Sequence, residues 1–178
     1  MNMDGMINWD KVYAAYDRAW SDICAGCDGA PRFELPEAAL ARIAAPADTD
    51  LQWLAAALRA DGEYPRARRW FVAWLFPPNT RLPESLFAPM LDAAITEVDP
   101  SMNRRFVEPC LATFGARRVR EYLLAIVESG QSAGAINALY WAEMELTFSG
   151  NVPSIEERYA TAESREASHA KQAVRRTA

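Results

Sequence analysis

Histidine is nearly absent from this chain of 178 residues, and with it the commonest component of a catalytic triad. The single histidine, His169, lies in a polar C-terminal segment, so a Ser–His–Asp or Cys–His arrangement would require that segment to fold back over a pocket. A glycine-rich phosphate loop is missing too, because Gly26-Cys27-Asp28-Gly29 has neither the spacing nor the preceding strand of such a loop. We therefore predict no catalytic residues and favour a protein that is not an enzyme.

Cysteine is scarce, and three residues of this type do not suit the disulfide framework of a small secreted domain. The first six residues contain no basic region followed by an apolar core, as a signal peptide would. Both observations predict a reducing, cytoplasmic location. Cys24 and Cys27 form a CxxC motif, which can be half of a zinc site or a redox pair. Because Cys110 and His169 are distant in sequence, we expect ordinary cysteines at a helix end, with no metal and no cofactor.

An excess of positive charge and a long apolar run are also lacking. The formal net charge of −5 gives no general attraction to nucleic acid or to an anionic membrane. No apolar run approaches the length that is needed to span a bilayer. The hydrophobic share of 51% and the charged share of 24% are ordinary for a soluble globular protein. We predict one helical domain over residues 1–150, followed by a polar helix or tail over residues 151–178.

The alternating pattern of a β-strand is found nowhere, whereas apolar residues recur at steps of three and four along most of the chain. This periodicity predicts an all-α fold. Asn8 is an expected N-cap, Asp99-Pro100 the expected junction between two helices, Thr49–Gln52 an expected capping box, and Gly115 and Gly130 expected terminators. The predicted helices cover about 7–24, 36–44, 49–61, 65–76, 83–98, 100–114, 117–129 and 133–148.

The stretch Trp70–Phe76 is the most apolar part of the chain, since Ala73 is its only small residue. A helix that is apolar on all sides has to be enclosed by its neighbours, so we expect this whole stretch, Trp74 included, to be buried. The same periodicity predicts that Leu40 faces inward. The predicted buried stripe of the last helix consists of Ile136, Leu139, Tyr140 and Met144.

Two predicted helices share a pattern, Leu86-x-x-Pro89-x-Leu91 and Phe106-x-x-Pro109-x-Leu111, in which the proline is expected to kink the helix. Short connections make consecutive helices antiparallel neighbours. With Ala116-Arg117-Arg118-Val119-Arg120 and Ala135-Ile136-Asn137-Ala138-Leu139, these features resemble the α-solenoids of the HEAT and armadillo class over about residues 65–150. The resemblance implies stacked antiparallel hairpins that bind another protein. An irregular helical bundle is the alternative, because no clean period occurs three times.

Arginine is concentrated at the beginnings of three predicted helices, where the helix dipole disfavours positive charge. One explanation is recognition of an acidic partner, and the candidate binding residues are Arg104, Arg105, Arg117, Arg118 and Arg120. The favoured explanation is local pairing. Its expected partners are Glu97 and Asp99 for the first two arginines, and Glu143 and Glu145 for Arg117 and Arg118.

Two carboxylates near the end of the last helix are a further candidate. Glu143 and Glu145 follow Tyr140 and Trp141, and acids beside aromatic rings are typical of a sugar or base pocket. Residues two positions apart on a helix point in different directions, however. We therefore favour a structural ion pair between Glu143 and an arginine.

Three classes of function remain. The favoured class is a non-enzymatic α-solenoid adaptor, a regulatory or immunity-type binder of another protein, because no catalytic set is present. The second is a HEAT-like nucleic-acid-binding protein that uses arginine and tryptophan, against which the acidic net charge argues. The third is a redox or metal protein that uses Cys24 and Cys27. No membrane partner is predicted.

Overall fold

The structure, a computed structural model, describes residues 7–26, 33–60, 65–78, 80–97, 99–130 and 133–148. These residues form α-helices and a short 3-10 helix without any β-strand, so the predicted all-α fold is confirmed for the described part of the chain. The helices are α1 (Trp9–Cys24), α2 (Glu37–Ala44), α3 (Asp48–Leu58), α4 (Pro65–Leu75), α5 (Phe87–Thr96), α6 (Pro100–Phe114), α7 (Ala116–Glu128) and α8 (Ala133–Phe148), and the 3-10 helix (Glu84–Leu86) precedes α5. The predicted tail over residues 151–178 lies outside the described residues.

Most helix ends lie where the capping residues predict them. The Asn8 side chain accepts a hydrogen bond from the Lys11 N–H at 3.0 Å, and the Asp99 carboxylate accepts one from the Ser101 N–H at 2.9 Å. Gly115 ends α6 with a φ of +82°, in the left-handed region that favours glycine. These ends depend on bonds between residues close in sequence, which is why a local pattern is enough to predict them.

The capping box predicted at Thr49–Gln52 is wrong. Helix α3 begins at Asp48, and the N–H of Ala47 donates to the Asp50 carboxylate at 2.9 Å. The second carboxylate oxygen of Asp50 accepts the indole N–H of Trp9 at 2.8 Å, and Asp50 is 2% exposed. The acid at the start of α3 therefore both caps this helix and anchors α1.

The aromatic stretch of α4 lies at the centre of the N-terminal region, but it is not enclosed on every side. Phe71, Val72 and Phe76 are fully buried, and helices α1, α3 and α6 pack against α4. Trp74 is 38% exposed, so the prediction that it is buried is wrong. Its indole lies against the Tyr16 ring at 5.6 Å between centroids, while part of it faces a groove.

Helix α8 packs against α5, α6 and α7 through its small residues. Ala135, Ala138 and Ala142 are fully buried, whereas Ile136 is 57% exposed and Tyr140 is 50% exposed. The predicted stripe is therefore wrong for these two residues. A helix that is apolar on all sides has no inward face marked in its sequence, and the close approach of three neighbours selects the small side chains.

Gly134 marks the closest approach of α8 to α5. A Cβ atom at this position would lie 1.9 Å from the carbonyl oxygen of Ile95. Beside it, the buried side chain of Asn103 in α6 donates hydrogen bonds to the carbonyl oxygens of Ala94 at 3.2 Å and Gly134 at 3.3 Å. One amide thus joins the backbones of α5 and α8 to α6.

The shared proline pattern does not produce two equivalent helices. Pro109 lies inside α6, but Pro89 is the third residue of α5. The first turn of a helix has no intrahelical partner for its N–H groups, so proline is accommodated there without breaking a hydrogen bond. The expectation that a proline interrupts both helices is therefore wrong for α5.

A buried carboxylate joins α4 to the corner between α5 and α6. Glu97 is 1% exposed and accepts hydrogen bonds from the guanidinium of Arg66 at 2.7 and 3.2 Å, from the indole of Trp70 at 2.7 Å and from the N–H of Asp99 at 2.9 Å. Burial raises the pKa of Glu97, but the donors from Asp99, Trp70 and Arg66 together hold it below its ordinary value.

Candidate functional site

A groove of about 820 Å³ lies between α2, the end of α4 and the first half of α6. Pro77 and Pro78 form part of its edge, directly after α4 ends. The other lining residues are Leu35, Leu40, Ile43, Ala44, Ala73, Trp74, Leu75, Phe76, Thr80, Ser101, Arg104, Arg105 and Glu108. Most of the lining is apolar, and the charged residues come from one turn and a half of α6. A volume of this size is within the range of ligand-binding clefts.

Two large apolar side chains in the groove are exposed. Leu40, on α2, is 55% exposed, which contradicts the prediction that it faces inward, while its neighbours Ala39 and Ile43 are buried. Trp74 is held by the rings of Tyr16 and Phe33, whose centroids lie 5.6 and 5.5 Å from its own. The indole therefore has a fixed position and still presents apolar surface to the groove.

The charged wall of the groove contains one arginine without a carboxylate partner among the described residues. Arg104 donates to Glu108 at 2.5 Å, four residues along α6, and its guanidinium lies 5.1 Å from the centre of the Trp141 ring. Arg105 is exposed and has no described carboxylate within 4.0 Å. Burial raises the pKa of Tyr16, and the positive charge of Arg105 partly opposes that rise.

The structure separates the five arginines predicted as binding residues into two groups. Arg104 and Arg105 line the groove, whereas Arg117, Arg118 and Arg120 lie in the first turns of α7 and are not part of its lining. The five residues thus do not form one continuous binding surface around the groove.

In the α7 group, Arg118 is tied most firmly to the fold. Its guanidinium donates two hydrogen bonds to the carboxylate of Glu84 and lies 4.4 and 5.0 Å from the centres of the Phe87 and Phe114 rings. The hydrogen bond from Arg118 holds the pKa of Glu84 below its ordinary value. A side chain held by an acid and two rings positions the start of α7 on α5 and α6.

The other two arginines of α7 differ in exposure. Arg120 pairs with Glu143 at 3.4 Å, so the predicted ion pair between Glu143 and an arginine is confirmed. Arg117 is 92% exposed and its nearest carboxylate, Glu121, is 3.9 Å away. Such a loose pair on a helix surface contributes little to stability.

Local pairing occurs, but with partners other than the predicted ones. Glu97 and Asp99 pair with Arg66, at 2.7 and 3.9 Å, rather than with Arg104 or Arg105. The reason is that α4 packs against the corner between α5 and α6 and brings Arg66 to it. The side chain of Glu145 lies outside the described residues.

The cysteine and histidine candidates are only partly described. Cys24 is exposed at the end of α1, while Cys27 and His169 lie outside the described residues. Cys110 is buried, and burial raises the pKa of its thiol. Within the part of the chain that the structure describes, no three residues of the types His, Cys, Asp and Glu are grouped as metal ligands.

The groove itself was not foreseen from the sequence. Its apolar wall combines Leu40 and Trp74, both predicted to be buried, and its charged wall contains two of the arginines singled out as binding residues. No signal in the sequence marked it, because Leu40 and Ile43 are three residues apart and therefore lie on the same side of α2. The sequence does not show which of these two residues is left outside.

No helix among the described residues combines the length and the apolar character that crossing a bilayer requires. In comparisons with known proteins, the chain matches no family model, no curated protein and no solved structure.

Proposed function

We propose that this protein is a non-enzymatic interaction module that binds a segment of another protein in the groove between α2, α4 and α6. The observation that carries the proposal is the exposure of Trp74 and Leu40 beside Arg105 in one groove. Exposed apolar surface that is rimmed by polar residues is typical of binding sites, and tryptophan and arginine are the residues that most often dominate binding energy.

The chemistry of the groove favours binding over catalysis. Its only carboxylate in the described lining, Glu108, is paired with Arg104. The hydroxyl of Ser101 donates to Asp99 at 2.6 Å as part of the cap of α6. No described lining residue thus provides the base that a hydroxyl nucleophile needs. A partner in the groove would instead find an apolar floor and Arg105, a cation without a carboxylate partner among the described residues.

Stacked helical hairpins of the HEAT and armadillo kind are the architecture that we propose for this role. In support, α5 packs against α6, α7 packs against α8, and α6 contacts both helices of the second pair. Solenoids of this kind present extended surfaces to their partners. A regulatory or immunity-type role in the cytoplasm is the setting we propose, on the cysteine content of the chain.

Nucleic acid is the second candidate partner, because an exposed tryptophan beside an arginine can stack a base and hold a phosphate. Trp74 and Arg105 are such a pair within one groove. The net charge of −5 opposes this role, since phosphate binding depends on an excess of positive charge. We therefore rank it below protein binding.

The test uses a photoreactive amino acid at position 40, with position 136 as the matched control. Leu40 and Ile136 are exposed to almost the same extent, 55% and 57%, but only Leu40 lines the groove. We expect a discrete protein from the native organism to be crosslinked at position 40 and not at 136. The captured protein, once purified, should bind at least tenfold more weakly to Leu40→Asp than to Ile136→Asp. Equal capture at both positions would contradict the proposal.

A further inference from the structure

We propose that the segment bound in the groove is acidic, with an aspartate or glutamate close in sequence to bulky apolar residues, and that Arg105 receives its carboxylate. This inference rests on the proposed function and specifies the partner of the same groove. The occupant is a segment of another protein, in which the apolar residues lie against Trp74 and Leu40.

The charges of the residues that line the groove do not cancel. Its charged lining residues are Arg104, Arg105 and Glu108, and the first and last of these are paired with each other. The guanidinium of Arg104 also makes a cation–π contact with the ring of Trp141. The described lining residues therefore carry one net positive charge, located on Arg105. A bound segment with a negative charge complements this cation, whereas a basic segment would be repelled.

The charge of the groove is opposite in sign to the net charge of the chain. Acidic residues outnumber basic ones by 24 to 19, so an acidic segment is repelled by the chain as a whole. A local cation in an apolar groove directs such a segment to one place and suppresses binding elsewhere. Charge complementarity of this kind gives specificity and a faster association more than it gives raw affinity.

Arg105 and the apolar residues Trp74 and Leu40 line the same groove. Tyr16 contacts the ring of Trp74 at 5.6 Å, and the charge of Arg105 acts on the same tyrosine. Trp74 and Arg105 both line the groove, so the indole and the guanidinium belong to one cavity. A carboxylate and an apolar side chain that are close in sequence can reach both at once.

The experiment is a selection of random peptides, displayed on phage, against the whole chain of 178 residues. We expect the enriched peptides to contain Asp or Glu within about four residues of Leu, Phe or Trp. One selected peptide is then synthesised, and its affinity is measured by fluorescence anisotropy for the wild type, Arg105→Gln and Arg105→Glu. Arg117→Gln is the matched control, because Arg117 is exposed, changes the net charge equally and lies outside the groove.

Arg105→Gln should weaken binding about three- to fivefold at low salt, as expected for a partly exposed ion pair, with a smaller loss at high salt. Arg105→Glu should weaken it tenfold or more, because a repulsion replaces the attraction. Arg117→Gln should leave the affinity unchanged. Arg105 and Arg117 are exposed, so these variants are expected to fold, and circular dichroism checks that they do.

The two proposals fail in different ways. Peptides that lose binding in Leu40→Asp but show neither an acidic preference nor a response to Arg105→Gln would overturn this inference and leave the groove as a binding site. Peptides that are insensitive to Leu40→Asp, or no enrichment at all, would overturn both proposals. Tight binding of a thymidine oligonucleotide that depends on Arg105 would overturn them in favour of nucleic acid.

Discussion

The region of α1 to α4 and the region of α5 to α8 are held together by different means. In the first, aromatic rings pack edge to face and side by side, with Phe71 in contact with Tyr13, Tyr16, Trp53 and Trp74. The second region also contains ring contacts of Phe87, but there the small residues of α8 let it approach α5 so closely that their backbones touch. The comparison indicates that a ring can be buried on one side and exposed on the other, which leaves surface for binding. A contact between two helix backbones leaves no exposed surface of this kind.

Within the aromatic region, Phe71→Ala should lower the free energy of unfolding most, by about 4 kcal/mol, since this ring is fully buried. Trp74→Ala should cost about half as much, because the indole is 38% exposed and loses less contact. Urea unfolding of both variants measures the difference. Equal losses would show that the groove side of Trp74 is covered in solution.

In the region of small residues, the sharpest change is Gly134→Ala. The added methyl group would meet the Ile95 carbonyl oxygen at 1.9 Å, so α8 has to move, at an expected cost of about 3 kcal/mol. The control is Gly130→Ala, where the methyl group meets nothing within 4 Å and only the positive φ opposes it, at about 1 to 2 kcal/mol. Unfolding in urea compares the two. A Gly134→Ala variant as stable as the wild type would contradict the close contact described for α8.

At the corner that joins the regions, Glu97→Gln should lower the free energy of unfolding by about 2 kcal/mol near neutral pH, because charged hydrogen bonds are lost. The pKa of Glu97 is lower in the folded state than its ordinary value of 4.5, so its contribution is complete above that value. The contribution is lost as the pH falls through the lower, folded-state pKa. The difference in stability between the wild type and the variant should therefore shrink from pH 6 to pH 3.

A difference that is constant over this range would show that the loss comes from packing and not from the charge of Glu97. The control is Glu121→Gln, which removes an exposed carboxylate whose nearest arginine is 3.9 Å away. This variant should change stability by less than about 0.5 kcal/mol throughout.

Small effects on stability are also expected for the exposed apolar residues of the two regions. Leu40→Asp and Ile136→Asp should each change the free energy of unfolding by less than about 1 kcal/mol, as is usual for exposed positions. Thermal melting of both variants is the measurement. A large loss in Ile136→Asp alone would indicate that this face of α8 is covered in the full chain.

The helices themselves could be predicted because their ends depend on neighbours in sequence. Asn8 and Gly115 each act within one turn, and each has the predicted role. The exposure of Trp74 and Ile136 could not be predicted, because both lie in stretches that are apolar on all sides. In such stretches only the positions of other helices decide which side chain is left outside.

Less of the candidate site than of the fold could be predicted from the sequence. Pairing was the favoured interpretation of the five arginines, and four of them have a described carboxylate partner. A pattern of charge does not show, however, which acid arrives from a distant helix. Glu84 reaches Arg118 across 34 positions of the chain, and Arg66 takes the carboxylate expected for Arg104. Arg105 stands out only once these distant partners are known.

The corner at Glu97 also has a consequence for cooperativity. Its carboxylate binds side chains of α4 and the backbone at the start of α6, so the aromatic region and the region of small residues share one buried charge. Neither region can open at this corner without breaking the hydrogen bonds that Arg66 and Trp70 donate to that carboxylate. The two regions should therefore unfold together in a single transition, and the amide hydrogens of α4 and α6 should exchange with solvent through the same global opening.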